Sequence, residues 1–87
     1  MTADVIALRA HLVAEAERRR SECASWQRLA EEWHHGTQSV RGTAIVTWQR
    51  RAADAAEAAR TATDAWLAAD ARLRALDGLI ADRGAHG

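Results

Sequence analysis

Residues 45–80 read IVTWQRRAADAAEAARTATDAWLAADARLRALDGLI, and the apolar period of this stretch decides the fold. Starting from Ile45, steps of three and four residues reach Trp48, Ala52, Ala55, Ala59, Ala62, Trp66, Ala69, Leu73, Leu76 and Ile80. Every one of these positions is apolar, a regularity sustained over about five heptads, which is the signature of a helical seam. Arg50, Arg51, Asp54, Glu57, Arg60, Asp64, Asp70, Arg72 and Arg74 lie off the stripe. Asp70 and Arg74 are spaced for a pair along one helix face. The stretch therefore predicts one long amphipathic helix, from about residue 43 to residue 82, roughly 50–60 Å long at 1.5 Å per residue. Gly78 would loosen its last turn, with Gly84 and Gly87 in a frayed tail. The seam is graded, bulky at its ends and alanine in its middle. Small side chains let backbones approach closely, so the middle of this helix expects a near neighbour.

The neighbour is in the first half of the chain, which reads as a second helix over about residues 4–35. Thr2 or Asp4 can cap it. Val5, Leu8 and Leu12 begin an apolar stripe, and Trp26, Leu29, Ala30 and Trp33 end it. Glu15, Glu17, Arg18, Arg19, Arg20 and Glu22 lie between, relieved by Ala16 and Cys23. Gly36 stands where a helix-ending glycine belongs, with His34 and His35 in the preceding turn. Gly42 argues that the next helix starts late, and Thr37, Ser39 and Thr43 are available as its caps. The turn is expected over residues 36–42, a length that suits antiparallel neighbours. Folding at about Ser39 would set Trp26 against Ala52 and Ala53, Trp66 against Leu12 and Val13, and Trp48 against Leu29 and Ala30. Large residues would then mostly meet small ones. The expected architecture is all-α: a single antiparallel hairpin of two long, coiled-coil-like helices spanning residues 1–87.

Composition narrows the function classes. The chain has 87 residues, about a quarter of them alanine, with no Pro, Phe or Tyr, four Trp, and Arg as its only Lys/Arg-type base. Such an alanine- and arginine-rich, lysine-free chain fits a high-GC genome, that of an actinobacterium or one of its phages. Twelve basic residues balance twelve acidic ones, so no net field draws in a polyanion, and nucleic-acid binding is disfavoured. A DNA-reading role also lacks a short recognition helix. No apolar run approaches the ~20 residues of a membrane span. Residues Met1-Thr2-Ala3-Asp4 have neither a basic nor an apolar leader segment. Localisation stays open, between export without a conventional signal peptide and residence in the cytoplasm or a virion.

No constellation assembles chemistry. Glu31-x-x-His34 and Glu32-x-x-His35 have the spacing of carboxylate-bridged metal helices. Such a site needs carboxylates from the facing helix, where Glu57 is the only glutamate and is too far along. A helix end with solvated charges is the expected reading, with no metal and no other cofactor. Cys23 on a helix stripe reads as a small core residue, and Ser21 and Ser25 have no base at a useful spacing. The five glycines, at 36, 42, 78, 84 and 87, make no phosphate loop. Arg18-Arg19-Arg20 and Arg50-Arg51 point in several directions around their helices and are flanked by acids, as a solvated face is. No catalytic residues are expected.

The apolar residues carry the functional expectation. Two helices cannot enclose four indoles, and tryptophan is enriched at the centres of interfaces. Trp26, Trp33, Trp48, Trp66, Leu67, Leu73, Leu76 and Ile80 are therefore the candidate partner-facing residues. A chain this small is also marginal for a core of its own. The sequence points to a non-enzymatic protein–protein interaction module, a homo-oligomer or one half of a helical complex, completing a four-helix bundle or larger assembly.

The run Leu29-Ala30-Glu31-Glu32-Trp33-His34-His35-Gly36, with Trp48 fifteen residues beyond Trp33, resembles the WXG family of type VII secretion substrates. Trp66-Leu67-Ala68-Ala69-Asp70 is similar to that family's aromatic-x-x-x-acid export signal, with Trp66 and Asp70 in the two key places. The turn here is Trp-x-x-Gly, one residue longer than the family's, and the aromatic–acid element lies within a helix. The resemblance implies a secreted hairpin that pairs with itself or a sister protein. The other expectation is a cytosolic or phage- or plasmid-encoded accessory, an assembly component or small regulator, docked on a larger protein.

Overall fold

A computed structural model describes residues 2–86, with the side chains of Ser39, Ala85 and His86 left undescribed. It forms two helices, α1 (Ala3–Ser39) and α2 (Ala44–His86), packed antiparallel along their length with no strand among the described residues. The hairpin measures 68 × 18 × 13 Å and has a radius of gyration of 19.5 Å. A compact domain of this length would have one of about 12 Å.

Thr2 caps α1. Its hydroxyl accepts a hydrogen bond from the Val5 amide at 3.3 Å, and its carbonyl accepts from the Ile6 amide at 3.1 Å. The first satisfies one of the amides that a helix start leaves unpaired, and the second is the first bond of the helix itself. Val40 then leaves the helix in extended conformation, and Gly42 turns the chain at φ +78°, a left-handed backbone that glycine adopts without steric cost. The Gly42 carbonyl accepts from the Ile45 amide as α2 begins.

Gly36 does not end the first helix. The helix runs on to Ser39, so the turn is the four residues 40–43 rather than 36–42. Thr37 is likewise no cap for α2, since its hydroxyl donates back to the His34 carbonyl inside α1. Tertiary packing explains the difference. The Trp48 ring of α2 lies directly on Gly36, where a Cβ would fall 2.6 Å from the ring's Cε3. A mid-helix glycine costs up to ~1 kcal/mol against alanine, and here the indole contact offsets that cost. A glycine required by a neighbour and a glycine that stops a helix look the same in one sequence.

Moving the turn moves the register. Arg9 meets Asp77, Glu15 meets Arg72 and Cys23 meets Thr63, so the two arms fold about residue 43, not Ser39. Trp48 consequently packs on Gly36 and Trp33, not on Leu29 and Ala30. Trp66 stands level with the Arg18-Arg19-Arg20 run instead of Leu12 and Val13. Trp26 lies beside Ala58 and Ala62 rather than Ala52 and Ala53. The displacement is about one heptad, which leaves the α2 stripe in the seam and changes only its partners.

That stripe is the seam. From Ile45 to Ile80, each of its eleven residues is buried or half-buried. Among the described residues the buried ones are Ala16, Cys23, Ala55, Ala59, Ala62 and Ala69, all small, and no large side chain is fully enclosed. Close backbone approach through small residues holds the middle of the hairpin. On α1, Leu8 is 47% exposed and does not join the seam, whereas Val5 and Leu12 are half-buried. No helix among the described residues is long and apolar enough to cross a membrane.

Candidate interaction surface

The two ends of the hairpin treat their apolar residues differently. Near the turn, Trp33 and Trp48 pack edge to face with ring centroids 4.7 Å apart. The Arg51 guanidinium lies 5.1 Å from the Trp33 ring centroid, within range of a cation–π attraction. Both indoles are half-buried. Both therefore have aromatic, cationic or backbone neighbours within the hairpin itself.

Trp66 is also half-buried, as are Leu73, Leu76 and Ile80. Trp26 is 40% exposed and Leu67 52%. Asp70 lies one turn beyond Trp66 in the interior of α2 and forms an ion pair with Arg74 at 3.0 Å. The exposed large apolar residues also include Ile6, Leu8, Val46 and Leu79. Leu8 was legible in the sequence only as a seam residue, because the period cannot say how far one helix wraps its apolar arc around the other.

Several of these residues share one broad face. On α1 the stripe Val5-Leu8-Leu12-Glu15-Glu22-Trp26-Leu29 recurs at steps of three, four and seven, which keeps it on one side of the helix. On α2 the stripe Ala58-Ala62-Ala65-Arg72-Leu76-Leu79-Arg83 does the same. Arg72 donates to Glu15 across the hairpin at 3.0 Å and ties the two stripes together. In the middle of this face is a shallow trough. Ala58, Ala62 and Ala65 floor it, Trp26 walls it, and Arg19, Glu22, Asp54 and Glu57 line its rim. Arg19 is already paired with Glu22 at 3.3 Å, so the rim is acidic on balance. Towards the open end, a second groove lies among Val5, Leu76, Leu79 and Ile80, with Arg83 the charged side chain on it. The opposite face carries the bidentate Arg9–Asp77 pair, at 2.8 and 3.3 Å.

Electrostatics and chemistry elsewhere are spare. The hydrogen bond from Arg9 holds the Asp77 carboxyl below the usual carboxylate range, and the same partner raises Arg9. Thr63 donates its one hydroxyl proton to the Ala59 carbonyl at 2.8 Å, so the Cys23 thiol, 3.1 Å away, is the donor to Thr63. Cys23 is thus a buried thiol engaged in the seam. No group of three or more His, Cys, Asp or Glu among the described residues could hold a metal ion. Glu31, Glu32, His34 and His35 are all exposed on α1, with no carboxylate brought to them from α2 as a third ligand.

Comparison with known proteins finds no match, whether among family models, curated proteins or solved structures.

Proposed function

We propose that this chain is a non-enzymatic helical interaction module whose fold is completed by another helical surface, either a second copy or a different helical protein. One observation carries this reading. Among the described residues, the hairpin buries only five alanines and a cysteine, while six large apolar residues stand exposed. The accessible surface is 6552 Å² for 9.5 kDa, where a compact monomer of that mass has about 5,000 Å². The excess, about 1,500 Å², is more than the ~800 Å² per partner that a standard interface removes.

Light scattering on the purified chain tests the reading. Mass above 9.5 kDa that rises with concentration, or a defined complex with a helical partner, is the expected result. A well-folded monomer at all concentrations that binds no partner would overturn it.

The resemblance to type VII secretion substrates supplies a finer reading, a hairpin exported as a pair. The helical hairpin and the Trp33–Trp48 spacing support it, while Gly36 inside α1 departs from a Trp–Gly turn. Export of the chain by a type VII system, lost on Trp66→Ala or Asp70→Ala with the fold intact, is its test. Retention of the untouched chain would favour the cytosolic or virion accessory instead.

A further inference from the structure

We infer that the face bearing both grooves docks on the same face of a second copy, antiparallel, about a two-fold axis close to Ala69. This rests on the interaction-module reading and names its partner. Two properties of the face carry it.

The first is complementarity between its halves. The open-end groove among Val5, Leu76, Leu79 and Ile80 is apolar and lined by one charged side chain, Arg83. The central trough has an alanine floor, the exposed Trp26 on its wall and carboxylates on its rim. Each half supplies what the other lacks. A two-fold near Ala69 places Trp26 of one copy at the level of Leu79 and Ile80 of the other. The same operation brings Arg83 to Glu57, and symmetry makes each contact twice. Near the axis, Arg72 is already paired with Glu15 in each copy, so no unpaired charge is brought onto its like.

The second property is area. In this register the copies overlap from about residue 54 of α2 to its end, a length of ~50 Å at 1.5 Å per residue. Across a hairpin 18 Å wide, the footprint is about 900 Å², against ~800 Å² per partner in a standard stable interface. A register centred on the open end would cover much less.

Sedimentation equilibrium of the full chain and five variants tests the arrangement, with circular dichroism confirming helix content in each. The wild type is expected to dimerise. Trp26→Ala should weaken dimerisation at least tenfold. Arg83→Glu and Glu57→Arg should each weaken it several-fold, and the double reversal R83E/E57R should restore it. Val46→Ser, off this face, should leave it unchanged. A dimer indifferent to Trp26→Ala and to both reversals would overturn the docking face while leaving the interaction-module reading standing. A wild type that stays monomeric would overturn the second copy as occupant, and the wider reading would then rest on its heteromeric form.

Discussion

At the turn, the hairpin closes its tryptophans on each other; at the open end it leaves large aliphatic side chains over. Trp33 and Trp48 meet at 4.7 Å with Gly36 beneath the Trp48 ring. Nothing comparable forms at the other end, where Val5, Leu76, Leu79 and Ile80 line a groove and Leu8 and Leu79 are 47% and 63% exposed. The turn end is aromatic and the open end aliphatic, but both are apolar, so hydropathy alone does not distinguish them. What differs is whether the opposite helix supplies a surface to pack against. The turn end closes the hairpin, and the open end is where the proposed interaction surface lies.

The strongest way to break that comparison is to overfill the seam between the ends. Ala69 is 1% exposed, and Ala69→Leu should cost ~2–3 kcal/mol because the backbones must separate to admit it. Urea unfolding would measure this, and a loss under ~0.5 kcal/mol would show that the alanine seam is not close-packed. Two glycines sharpen the contrast. Gly36→Ala should destabilise by ~1–2 kcal/mol, the Trp48 ring having to move despite alanine's better helix propensity. Gly78→Ala, where a Cβ would meet nothing within 4 Å, should stabilise by up to ~1 kcal/mol. Thermal melts of the two variants shifting in the same direction would contradict the distinction.

Much of this was legible in the sequence, for a physical reason. The stripe from Ile45 to Ile80 is set by helical period, which does not depend on the partner, and all of it is in the seam. The pairing across the seam was not legible. It depends on where the chain turns, and Gly36 offered a more conspicuous stop than Gly42. Only the contact with Trp48 reveals that Gly36 is there to be small. Alanines, alike along the middle of α2, could not correct a slip of one heptad by size matching. Of the residues expected to face a partner, Trp26 and Leu67 are exposed while Trp33 and Trp48 are engaged with each other, and Leu8 was placed in a seam that it does not enter.

The smallest expected effect is electrostatic. Asp77 is held below its ordinary value of 3.8 by the Arg9 hydrogen bond. A carboxyl with a lowered folded value stabilises the fold above its unfolded value, and loses that contribution as pH falls through the folded one. The pair lies at the surface, about half exposed to solvent, so the effect is slight. Stability measured between pH 6 and pH 2 should fall on the acid side, marginally less so in Asp77→Asn. A larger acid loss in Asp77→Asn than in the wild type would reverse the sign.

Hydrogen exchange at low and high protein concentration tests the central claim most directly, because it reads both ends in one molecule. As concentration rises, amides of residues 5–12, 54–65 and 72–83 should gain protection, while those of residues 30–50 near the turn stay as they were. Protection that is independent of concentration throughout, or that rises at the turn and not at the open end, would contradict the account.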